Sequence, residues 1–357
     1  MRLKMTLNFC PYQSQKNIVV NDAPYFNEVI IFLKRLVKQI LGLIILFCLP
    51  IILWRHRRQV LILSYHRILP KSHPEYKQMQ PGMVISEDTF RNHILWLTKY
   101  LKIIRLCEIS NYRNQNITPA CVITLDDGWA DNYQYAFPIL KELNTVATIF
   151  LVSSMIDTER YFWPEKLGLL LANKNSKKIL NTYLQTKYAT QMSGVEDYDE
   201  LIEILKDKSD EDIIKILNDV EKEVGDVSES YKPSRQVLNQ DELHEMRTSD
   251  LVEFGSHTAN HIRLDKISTP TVVDELTYSK QQLEDLTGQN ITTFCYPNGS
   301  YTDDVVKLVS DVYELACTTD EGWVDAKVDM HKLKRVMLHD DASNSKSLFW
   351  GRVLGFF

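Results

Sequence analysis

Two adjacent carboxylates, Asp126 and Asp127, sit in the stretch VITLDDGWADN (Val122 to Asn132), between the apolar run Cys121 to Leu125 and Gly128. Neighbouring acids at the end of a β-type run repel each other unless something positive stands beside them. A divalent metal is the usual remedy, because it takes one carboxylate as ligand and depresses the proton affinity of the other. Alone, the pair is as compatible with a strand-ending Asp-Gly turn. Two histidines shift that balance. His257 and His261, in HTANH directly after the run Val252 to Ser256, are four residues apart and can grip one ion from one side of a helical turn. A third histidine, His66, follows Tyr65 at the end of Val60 to Ser64, at a strand terminus where α/β proteins keep their chemistry. The turn Pro297-Asn298-Gly299 ends another β-type run, Thr292 to Tyr296, and presents backbone N–H groups.

These residues need elements to carry them, and the sequence supplies an alternation of strands and helices. Ser86 caps a helix marked by Phe90, Ile94, Leu97 and Leu101. Lys102 to Leu106 reads as strand, Ala120 to Leu125 as strand, Tyr135 to Leu143 as helix and Ala147 to Val152 as strand. Such alternation argues for parallel β-structure built from βαβ units. Between about Tyr161 and Arg235 it stops. Ser209 and Asp212 form a capping box ahead of the stripe Ile213, Leu217, Val220 and Val224, which reads as the packing face of an inserted helical segment and not as a catalytic unit. The alternation resumes at Val252, with a helix over Pro270 to Thr287 and strands at Thr292 to Tyr296 and Leu315 to Thr318; the less regular segment Leu333 to His339 follows.

Composition bounds the partners. A net charge of -6 over 357 residues lacks a polycationic signature, which argues against nucleic acid. The six cysteines are dispersed without a CxxC pair and read as small buried side chains. Residues 1–28 look like a tail. From Val29 to Trp54 the chain is apolar apart from Lys34, Arg35 and Lys38, and Arg55 to Arg58 close it with basic residues. A full span needs about 20 apolar residues, and Ile40 to Trp54 is shorter, so snorkelling of the lysines and Arg35 must extend it. We read residues 29–58 as a membrane anchor with basic flanks, spanning or re-entrant, and 59–357 as the catalytic domain, whose apolar demand is met downstream. A cleaved leader fits poorly, since no small-residue cleavage site follows. The basic residues on the two sides nearly balance and do not orient the anchor.

Taken together, the motifs resemble those of the polysaccharide deacetylases of carbohydrate esterase family four, whose shared unit is the NodB homology domain. Thr124-Leu125-Asp126-Asp127-Gly128 is similar to the family's first motif, His257-Thr258-Ala259-Asn260-His261 to its second and Tyr296-Pro297-Asn298-Gly299 to its third. The branch acting on poly-N-acetylglucosamine, which looks circularly permuted, is the nearest in arrangement. The resemblance implies a distorted (β/α) barrel of about seven strands with its site at the carboxyl ends of the strands. It also implies Asp126 as general base, and Asp127, His257 and His261 as ligands of one divalent metal, zinc or a neighbour such as Mn²⁺, Co²⁺ or Ni²⁺. Tyr296, Pro297 and Asn298 would face the substrate and its oxyanion. Two departures stand out. Cys295 occupies the place where many members carry an arginine that orients the base, so Asp126 must be held by something else. The usual Leu-x-His motif is reduced to Leu338-His339, whereas Tyr65-His66 matches the permuted branch, which favours His66 over His339 as general acid.

The expected activity is removal of acetyl from an N-acetylated amino sugar of an envelope or exported glycan, by a membrane-anchored enzyme with its catalytic domain outside the cytoplasm. Two alternatives are a deacetylase or deformylase of a lipid-linked sugar, and a catalytically silent carbohydrate-binding scaffold. Oligomeric state is not written in the sequence.

Overall fold

The computed structural model describes residues 40–77, 82–115, 118–172, 178–183, 186, 198–206, 208–224 and 235–356. Its strands are β1 (Val60–Tyr65), β2 (Arg67–Leu69), β3 (Val84–Ser86), β4 (Lys102–Ile103), β5 (Ala120–Leu125), β6 (Ala147–Leu151), β7 (Val252–Ser256), β8 (Thr293–Cys295), β9 (Leu315–Glu321) and β10 (Leu333–Met337). The main sheet runs β1-β10-β9-β8-β7-β6-β5-β4, and β1 also pairs β5. That pairing closes a ring of β1 and β5 to β10, all parallel, with β4 left outside on β5. The (β/α) barrel expected from the motifs is therefore present.

Period-two alternation divides each strand between two apolar compartments, which is why β1 and β5 are buried along their whole length. Val60 and Ile62 of β1 and Ala120 and Val122 of β5 join the cluster inside the ring, with Phe150, Cys295, Cys317 and Leu333. Leu61, Leu63 and Tyr65 of β1, and Cys121, Ile123 and Leu125 of β5, face the helices instead. Continuing the inward series upward gives Ser64 and then His66, and Thr124 and then Asp126. Polar residues thus replace apolar ones at the carboxyl end of the ring.

The inserted segment is helical, with helices Trp163–Ala172, Tyr198–Lys206 and Asp210–Val224. It has its own core, in which Ile213, Leu217 and Val220 are fully buried as the stripe predicted; the side chain of Val224 lies outside the described residues. Ser209 Oγ accepts the Asp212 N–H at 3.1 Å, which caps the third helix.

The membrane-spanning helix finds no support here. Residues 29–39 of the expected span lie outside the described residues, and among the described residues no helix is long and apolar enough to cross a membrane. Residues 40–55 do form a helix, but Ile45, Leu49 and Leu53 are buried in the main core beside Phe349 and Trp350. At Gly42 a Cβ would stand 2.4 Å from the Cβ of Ser347, so only glycine permits that close approach. The barrel's apolar demand is therefore met partly upstream of Val60, contrary to expectation. The opposite face, Ile40, Leu43, Ile44, Phe47, Ile51 and Trp54, is exposed.

Candidate active site

Strand register brings the site together. Tyr65 pairs Leu125, so the residues that follow, His66 and Asp126, emerge side by side, and the Asp126 N–H donates to Tyr65 O at 2.9 Å. Likewise Leu151 pairs Ser256, and the His257 N–H donates to Leu151 O at 2.8 Å. Both acid-bearing and histidine-bearing ends then open into a cavity of about 510 Å³.

Asp127, His257 and His261 converge there. His257 Nε2 lies 3.4 Å and His261 Nε2 3.3 Å from Asp127 Oδ1. That oxygen is buried and, among the described residues, has no hydrogen-bond partner. His257 Nδ1 donates to Cys295 O at 2.7 Å, which leaves Nε2 its lone pair. Asp127, Thr258 and His261 all adopt positive φ (74°, 66° and 57°), and that unusual backbone is what turns the side chains toward one point. Burial pushes the Asp127 carboxyl up, yet the His257 and His261 imidazoles close beside it, with charge from His66, hold it well below the usual range. An orphaned carboxylate oxygen facing two imidazole nitrogens is a donor set suited to a divalent cation such as zinc, and these residues fit one.

Asp126 is held by Arg335, which sequence reasoning missed. All five guanidinium N–H groups are engaged. Nε donates to Thr318 O (2.9 Å), Nη1 to Thr124 Oγ1 (3.1 Å) and Asp126 Oδ1 (2.7 Å), and Nη2 to Asp126 Oδ2 (2.8 Å) and Cys295 Sγ (3.0 Å). Burial pushes the Asp126 carboxyl up, but Arg335, with smaller help from His66 and His257, brings it below its ordinary value. The signal was available: Arg335 is two residues beyond Leu333 in β10, on the inward face.

His66 Nε2 stands 3.8 Å from Asp126 Oδ2, and its Nδ1 is buried without a partner among the described residues. Asn132 Nδ2 donates to His66 O at 2.9 Å and fixes the backbone there. Tyr65 points the other way, its hydroxyl on His93 Nδ1 at 3.2 Å. His339 is not among the residues lining the cavity; it precedes the helix Asp340–Ser343, with Nδ1 3.8 Å from Asp341. Tyr296 and Asn298 line the cavity, while Pro297 is buried beneath the turn. Gly299 and Ser300 spend their N–H groups inside the turn, on Tyr296 O and Pro297 O, so Asn298 is its remaining donor.

The insertion was read as packing alone, yet it also walls the cavity. Phe162, Trp163, Glu165, Ile202 and Lys206 line it. Burial pushes the Glu165 carboxyl up to about 7, against the pull of Arg67. Arg263, two residues past His261, reaches back and donates to Lys206 O and Lys208 O, tying this wall to the loop that carries His257 and His261.

Comparison with known proteins gives the family. The polysaccharide deacetylase family model matches residues 113–313. The protein YxkH of Bacillus subtilis (strain 168), named as a polysaccharide deacetylase, is 21% identical over 289 residues, covering 80% of this chain and 73% of its own. Among solved structures, the polysaccharide deacetylase BC0361 of Bacillus cereus superposes with TM-score 0.55 at 21% identity, covering 83% of this chain and 69% of that one. The Streptococcus pyogenes deacetylase PplD, in complex with acetate, gives 0.54 at 20% identity, with 82% and 97% covered. IcaB of Ammonifex degensii gives 0.52 at 14%, with 84% and 96% covered. The chain belongs to the polysaccharide deacetylase family.

Proposed function

We propose that this deacetylase is metal-dependent and removes acetyl from N-acetylated amino sugars of an envelope or exported polysaccharide. The observation that carries the reading is the Oδ1 of Asp127, without a hydrogen-bond partner among the described residues and set between two imidazoles, one residue from a carboxylate locked in place by arginine. Asp127, His257 and His261 would hold the divalent ion, which when bound would supply positive charge to acidify water and polarise an acyl oxygen. Asp126, ionised and oriented by Arg335, takes the proton of the attacking water. His66, on the neighbouring strand end, gives a proton to the departing amine. The Asn298 N–H meets the negative charge that develops on the acyl oxygen. Phe162 and Trp163 give the cavity the aromatic walls that suit sugar rings. Support also comes from the Streptococcus pyogenes relative, whose structure contains acetate, the acid this reaction releases.

A second reading, deacetylation of a lipid-linked sugar, draws on the helix over residues 40–55. Its exposed apolar face ends at Trp54, with the Arg57 guanidinium 4.2 Å above that ring and Arg55 and Arg58 beside it. An aromatic and basic end to an apolar stripe suits the surface of an anionic membrane.

The test is acetate release from N-acetylglucosamine oligomers and from lipid-linked N-acetyl sugars by the metal-reconstituted full chain. Release from the oligomers supports the first reading, and release from the lipid-linked substrate alone selects the second. Binding without release from either would make the protein a silent scaffold.

A further inference from the structure

Asp127 has two oxygens, and they differ. Oδ1 faces the two imidazoles without a hydrogen-bond partner among the described residues, whereas Oδ2 accepts the indole N–H of Trp129 at 2.9 Å. Trp129 is itself fixed on every side. The residue is 1% exposed, Phe162 packs on its ring at 4.8 Å between centroids, and the Arg67 guanidinium lies 4.6 Å above it. Arg67 is pinned by Asp131 at 2.7 Å and Glu75 at 2.8 Å. The backbone is tied as well. Trp129 bridges Val237, the Ala130 N–H donates to Gln236 O, and the Leu238 N–H to Gly128 O, so the returning end of the insertion is zipped to this loop.

We propose that Trp129 is a positioning residue that engages Oδ2 and leaves Asp127 one oxygen for the metal, making it a monodentate ligand. This rests on the metal-dependent reading above. A carboxylate freed of that hydrogen bond could rotate and offer both oxygens, which changes the coordination number and loosens the grip on a small ion. Loss of such an outer hydrogen bond typically lowers metal affinity by about 10- to 100-fold.

The test uses full-length protein with Trp129→Phe and, because phenylalanine leaves a void, with 3-benzothienylalanine at position 129, which keeps the shape of indole without its N–H. Zinc dissociation constants are measured by competition with a chelating dye, and the visible absorption of the cobalt-substituted protein is recorded. Zinc affinity should fall at least tenfold in the isosteric variant, and the cobalt bands should weaken and shift as the coordination number rises. Unchanged zinc affinity and an unchanged cobalt spectrum in that variant would overturn the assignment. If the unsubstituted protein binds no divalent ion, it is the metal-dependent reading that fails, so the two failures are distinguishable.

Discussion

Arg335 grips both carboxylate oxygens of Asp126, at 2.7 and 2.8 Å, from β10, on the far side of β1 from the strand that ends at Asp126. The planar fork matches the carboxylate, so Asp126 is held in one orientation and kept ionised. Removing one member of such a buried pair strands the other. Arg335→Ala should destabilise the fold by about 3–5 kcal/mol in denaturant titration. Arg335→Lys keeps the charge but loses the fork, and kcat should fall by about tenfold or more with metal content unchanged. Asp126→Asn should also retain metal while turnover drops by about a hundredfold or more. His257→Ala or His261→Ala should lose the metal, as elemental analysis of the purified variants would show.

His66 and His339 should separate cleanly. His66→Ala should retain metal and lose acetate release, whereas His339→Ala should leave the rate nearly unchanged. A comparable loss in both variants would assign the proton donor elsewhere.

Glu165 should print a pH dependence on the metal-free protein. Burial raises its folded value to about 7, above the ordinary 4.5. The folded state therefore holds this proton more tightly than the unfolded chain does. Its contribution to stability is fully present below 4.5 and is lost as pH rises through about 7. Glu165→Gln cannot ionise, so its chemical-denaturation midpoint should fall less over that interval than that of the unsubstituted protein.

The outer face of the helix over residues 40–55 should respond differently from its inner face. Phe47 is 89% and Ile51 69% exposed, while Leu49 is fully buried. Phe47→Glu and Ile51→Glu should reduce co-sedimentation with anionic vesicles and leave the thermal midpoint nearly unchanged. Leu49→Glu should unfold the protein, because it buries an unpaired charge.

Most of the barrel was legible because its strands are short apolar runs at regular intervals, and the motif residues sit at their ends. Asp126, Asp127, His257 and His261 could be picked out since their spacing within each motif is local. Arg335 could not be matched that way. It lies 209 positions from Asp126, and only the closure of the ring through β1 makes the two neighbours. The helix over residues 40–55 misled for a related reason. A helix apolar all round reads as a membrane span from composition alone, and only tertiary packing reveals that Ile45, Leu49 and Leu53 rest on the barrel. The insertion gave its stripe away by period but not its aromatic wall, since Phe162 and Trp163 precede the stripe and carry no periodic mark.

The place of β10 in the ring also sets an order of events during synthesis. It is the last of the described strands to leave the ribosome, and it slots between β9 and β1. Asp127, His257 and His261 follow β5 and β7, which are made before β10, whereas Asp126 takes its arginine from β10 itself. The guanidinium that holds Asp126 thus arrives with the strand that completes the barrel. A nascent or prematurely terminated chain ending before Arg335 would carry Asp127, His257 and His261 without the arginine that holds Asp126, so the proposed hydrolytic capacity would be withheld until β10 is made and docked.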